Sequence, residues 1–131
     1  MDIGSSVRSV LMLSAVGDIV STAIYPVEAP QNPGHPHIVY NKIDGAPLVD
    51  LGGSSKTKHS RVQIDCYTKD DPTSCSALAK AVYDALNDFS GDVDGGFIDS
   101  STALDDGKDM SEPELEEFRV MLEFSIWYTE E

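Results

Sequence analysis

The sequence predicts an α+β fold: a mostly antiparallel four-stranded sheet with two helices packed on one face, in a single domain over 1–131 with a flexible loop at 45–57. Three observations lead there. The stretches 58–68 and 117–130 alternate apolar and polar residues with the period of a strand. The stretches 2–16 and 73–90 place apolar residues at helical spacing. The element order, helix, strand, strand, helix, strand, strand, gives two hairpins joined by a helix.

The first helix is read from Ile3, Val7, Val10, Leu11 and Ser14 on one face, with Gly17 as its C-terminal stop. "STAIYPVEAPQNPGHPHIVYNKIDG" follows, with four prolines and no helical period. It reads as a short extended piece at 23–25, a proline-stiffened connection, and a strand over 37–44. Residues 45–57 are rich in Gly and Ser and link that strand to the next. In the strand at 58–68, Val62, Ile64 and Cys66 face one side. Arg61, Gln63, Asp65 and Tyr67 face the other, so that side is wet or lies in an interface. Asp71-Pro72 is the N-cap and first position of the second helix. Leu78, Val82, Ala85, Leu86 and Phe89 form its stripe, and Gly91 is its expected end. A weaker strand spans 97–104, then an acidic turn runs through Glu114. In the last strand Phe118, Val120, Leu122, Phe124, Ile126 and Tyr128 line one face; Arg119, Met121, Glu123, Ser125 and Trp127 line the other.

The totals bound the function. The 131 residues, 40% hydrophobic, suffice for one cored domain without a metal or disulfide staple. No apolar run reaches the ~20 residues of a membrane span, and no basic n-region precedes an apolar stretch, so no membrane association and a cytoplasmic origin are expected. Nine basic against 23 acidic residues give a net charge of −14, which repels nucleic acid. The charge is uneven. Residues 88–117 hold eleven acids and one base, Lys108, whereas Lys56, Lys58, His59 and Arg61 fall within six positions. Cys66 and Cys75 are expected to be reduced packing residues.

Motifs for catalysis, cofactors or metals fail on inspection. Lys56-Thr57 suggests a phosphate-binding loop, but Ser55 stands where glycine is needed and Asp50 occupies the earlier glycine position. A strand rather than a helix follows. The segment from Asp92 departs from a calcium loop, with Gly96, Phe97 and Ala103 at ligand or turn positions. His35 and His37 are separated by a proline in a connection and are expected to be loop residues rather than ligands. Neither a Gly-x-Ser-x-Gly elbow nor a His-Glu-x-x-His helix is present. Trp127, aromatic on a polar face, reads either as packing under a loop or as an interface anchor, and Tyr67 on the corresponding face of its own strand is its candidate companion.

Four segments taken together, "AIYPVEAPQN" with "PHIVYNKID", "SRVQIDCYTKD", "ALAKAVYDALNDFSG" and "FRVMLEFSIWY", resemble the tail completion, or tail terminator, proteins of long-tailed bacteriophages and related prophages. The resemblance runs from about Val7 to Tyr128. It implies an α+β fold of this layout and a non-enzymatic structural role with no catalytic residues to carry over. The implied assembly is a homohexameric ring at the head-proximal end of the tail. Such a ring stops tube polymerisation and presents the surface that joins tail to head. The implied partners are the chain itself, the tail tube protein and the head–tail connector protein, with DNA passing through without specific binding. The implied location is the virion, after synthesis in the bacterial host cytoplasm. The family's long hairpin loop corresponds to about 44–58. The stretch 92–114 departs from the family pattern, being more acidic and less regular, which bears on the placement of the strand at 97–104. On this reading Gly52, Gly53, Ser54, Ser55, Lys56, Lys58, Tyr67 and Trp127 are the expected partner interface. The competing readings are another phage neck or head–tail joining component, and a small acidic ligand-binding domain or enzyme, which would need a polar pocket with perturbed titrating groups.

Overall fold

A computed structural model of the chain describes residues 3–31, 34, 36–50, 53–69, 71–93, 95–105, 107–111 and 117–130, with the backbone alone for 44–50, 53–56 and 130. The elements are α1 (Ile3–Met12), α2 (Ala15–Val20), β1 (Ile24–Pro26), β2 (His37–Asp50), β3 (Gly53–Thr68), α3 (Pro72–Leu86), β4 (Phe89–Val93), β5 (Gly96–Ala103), β6 (Lys108–Asp109) and β7 (Phe118–Glu130). The seven strands form one mixed sheet in the order β1-β2-β3-β7-β5-β4, with β6 beside the N-terminal half of β7.

The expected four-stranded sheet with two helices is therefore corrected to seven strands and three helices, and each difference has a local cause. β1 is the short extended piece before the prolines. It becomes a strand because the ten-residue link 27–36 brings the chain back to run parallel with β2, pairing Ile24 with Ile38. That single parallel pair makes the sheet mixed. β4 takes the residues expected to finish the second helix. The helix stops at Asn87, and Asp88 adopts the left-handed conformation at φ 61°. The Asp88 N–H then donates to Ser101 O at 2.7 Å, starting the β4–β5 pairing. Gly91 lies inside β4 and ends nothing. β6 is only Lys-Asp, made a strand by its pairing with Met121 and Val120.

The first helix is broken in two. Ser14 caps α2, its Oγ accepting from Val16 N at 3.1 Å and donating to Leu11 O at 2.7 Å. Gly17 lies within α2, where a Cβ would stand 2.1 Å from Met12 O. It is a glycine of close approach, not a stop. Ile3, Val7, Leu11, Val16 and Val20 still share the buried side. α3 begins as the sequence indicates, with Asp71 Oδ1 accepting from Ser74 N and Pro72 in the first turn.

The helices cover one face of the sheet. Leu78, Val82 and Leu86 of α3 meet Val62, Ile64 and Cys66 of β3 and Leu122, Phe124 and Ile126 of β7 in one core cluster. Both alternating strands place these residues inward as expected. Cys66 and Cys75 are free and buried, with Cys75 Sγ donating to Cys66 O at 3.3 Å. Burial pushes the Cys66 thiol well above the usual range and raises that of Cys75.

Candidate assembly surface

Two regions stand outside the core: a projecting arm and the second face of the sheet. The arm is the continuation of β2 and β3. The Gly/Ser-rich stretch expected as a link between strands is itself strand over 45–50 and 53–57, pairing Asp50 with Gly53 at its end; residues 51 and 52 lie outside the described residues. β7 accompanies β3 only as far as Thr57, opposite Thr129. Residues 53–56 thus pair with β2 alone, roughly 13 Å of ladder beyond the sheet at strand rise. Register shifts between Pro47 and Val49, so Leu48 faces the three residues 55–57 where β7 ends. A bulge there bends the arm and increases its twist.

The second face carries the polar residues of β3 and β7. Asp65, buried, accepts from Arg119 Nε at 3.2 Å, Arg119 Nη2 at 3.1 Å and Gln63 Nε2 at 3.0 Å. Three donors on one carboxylate compensate its desolvation. Arg61 pairs with Glu123. Tyr67 stacks on His37 with ring centroids 4.7 Å apart and 11° between planes, and Arg119 Cζ lies 5.5 Å from the Tyr67 centroid. The segment around Val27–Pro30 lies over this end, where Val27 N donates to Tyr40 O and a cleft of about 430 Å³ opens above Asp65. At the other end Trp127, 37% exposed, packs against His59 with centroids 4.6 Å apart.

Tyr67 and Trp127 share this face but do not meet. Tyr67 is opposite Arg119 and Trp127 opposite His59, so the two sites are separated by eight residues of β7, roughly 26 Å. Trp127 belongs to the root of the arm and Tyr67 to the far end of the sheet. Lys58 is at the arm's root, opposite Tyr128, and by alternation belongs to the face opposite His59. Gly53, Ser54, Ser55 and Lys56 lie along the arm, and Gly52 falls outside the described residues. Sequence reasoning missed the Asp65–Arg119–Gln63 cluster. Its signal was available: three polar residues at odd positions of paired strands.

His35 also lies outside the described residues, and His37 Nδ1 is 2.8 Å from Gly34 O. Among the described residues no three His, Cys, Asp or Glu side chains gather as metal ligands, and no helix is long and apolar enough to cross a membrane.

The molecule is thus a small mixed sheet with a helical layer on one face, a projecting hairpin and an aromatic side chain at the hairpin's root. The chain belongs to the family described as tail completion protein gp17, whose model matches residues 5–129. It is accordingly a structural protein of the phage tail. Its fold is similar to that of a chain in the solved virion of a native gene transfer agent particle. The TM-score is 0.79 with 21% identity, covering 97% of this chain and 94% of that one. No curated protein sequence matches it significantly.

Proposed function

We propose that six copies of this chain form a ring at the head-proximal end of the tail tube, end its polymerisation, and present the surface that receives the head. Membership of the tail completion family over residues 5–129 is the observation that carries this reading. The partners are the tail tube protein, further copies of the chain, and the head–tail connector. No catalytic step is involved. DNA passes through the ring, and walls drawn from a chain of net charge −14 repel rather than bind it.

The bent arm at 45–57 serves as the docking element, moving in the free protein and becoming fixed on a partner. Gly52, Gly53, Ser54, Ser55, Lys56 and Lys58 form its contact stretch, and Trp127 extends that contact at the root. Tyr67, remote from both, faces a different neighbour. Deleting Gly52–Lys56 tests this. Circular dichroism and melting are expected to stay close to wild type, because the core lies elsewhere, while co-sedimentation with purified tail tubes is lost. Undiminished co-sedimentation of the deletion variant would remove the arm from the docking surface.

A further inference from the structure

The segment after β1 holds a backbone conformation that its residue type opposes. Glu28 N donates to Pro26 O at 2.7 Å, closing a three-residue turn centred on Val27, and Val27 has φ 65°. With positive φ at its centre this is the rare, strained form of that turn. Glycine adopts such a φ freely, whereas for a β-branched residue it is an outlier. Burial does not compensate it, because the Val27 side chain is 73% exposed. Two backbone hydrogen bonds hold the turn, that one and the bond from Val27 N to Tyr40 O at 2.9 Å. The neighbouring sequence confines movement to the same point. In Pro26-Val27-Glu28-Ala29-Pro30 both prolines have a fixed φ, and Ala29, preceding a proline, is kept extended. Val27 and Glu28 are left as the hinge. The segment they carry walls the cleft above Asp65: Val27, Glu28, Ala29 and Pro30 line it together with the buried His37 and Asp65 and with Tyr67 and Arg119.

We propose that Val27–Pro30 is a strained strap that rotates at Val27 to negative φ when the chain is built into the tail, resetting the cleft wall against the neighbour that faces Tyr67. The inference rests on the tail reading and gives the Tyr67 end of the sheet a moving part, separate from the arm. Strain held without burial is released by a small change of shape. One rotation breaks one hydrogen bond, Glu28 N to Pro26 O, and leaves the sheet and the Asp65–Arg119 pair in place. The free chain keeps the strained state because both backbone bonds are made; contact with a neighbour replaces the one that is lost. Relief of the strain then favours the assembled state alone, which is the differential that a conformational step requires.

Two substitutions at Val27 separate the strain from the side chain. Val27→Ala and Val27→Gly both remove an exposed side chain, and only glycine removes the Cβ. At an ordinary position glycine is the less stable of the two; at φ 65° the order reverses. Val27→Gly is expected to melt about 3 °C above Val27→Ala. Each variant is then co-expressed with wild type in phage-infected cells, and the ratio of the two chains in purified tails is read by mass spectrometry. Val27→Gly, with no strain to release, is expected to enter tails about fivefold less than Val27→Ala. A glycine variant that melts at or below the alanine variant shows that the turn is not strained. One that melts higher yet enters tails as the alanine variant does shows that the strain is not released on assembly. Either result overturns the strap and leaves the tail reading standing, whereas purified wild-type tails that lack the chain overturn both.

Discussion

Single residues set the ends and bends of this fold, and their roles separate cleanly by experiment. Gly17→Ala would drive a Cβ against Met12 O, so it is expected to destabilise by about 1–3 kcal/mol, measured by urea denaturation. Asp71 caps α3, and its hydrogen bonds with Ser74 hold its carboxyl below the ordinary value. A depressed carboxyl contributes stability above its unfolded pKa and loses it as pH falls through the folded one. Asp71→Ala is therefore expected to lower the melting temperature at neutral pH and to narrow its gap from wild type in acid. An unchanged gap across that range would show that the carboxylate is not the source. The two cysteines behave in the opposite sense. Burial raises both, so they stay protonated in the fold, and stability declines as pH rises past the unfolded thiol value. Both thiols are expected to react with a thiol reagent at the rate of unfolding rather than at the rate of a free cysteine.

At the scale of elements, the alternating strands were legible because both sides of the pattern have a physical cause. Val62, Ile64 and Cys66, and Leu122, Phe124 and Ile126, are buried under the helices, and most of their neighbours, Met121 and Trp127 apart, are polar because they face away. β1 was legible only as a short extended piece, and β4 and β6 were hidden, because their strand character comes from pairing. β6 is two polar residues completing an edge of β7, and β4 has no fully buried residue to announce it. The break between α1 and α2 was legible in part, since Ser14 is a good cap, but the glycine beside it resembled a stop. The interface residues were legible by type and not by grouping. A face assignment places Tyr67 and Trp127 on one side, yet only the strand register sets the distance between them. With that separation, Tyr67→Ala and Trp127→Ala are expected to affect stability additively to within about 0.5 kcal/mol. Arg119→Ala should be costlier, about 3 kcal/mol, because it leaves Asp65 buried without its cation.

For the whole molecule, one core supports a chain that is strongly acidic overall, with its acids concentrated along the sequence between positions 88 and 117. Stopping translation of this gene in its phage and measuring tail lengths by electron microscopy tests the terminator role most directly. Overlong tails of variable length, lying apart from DNA-filled heads, are the expected result. Tails of normal length that fail to join heads would contradict the terminator role and favour a neck component instead, and normal infectious particles would contradict any part for the chain in tail completion.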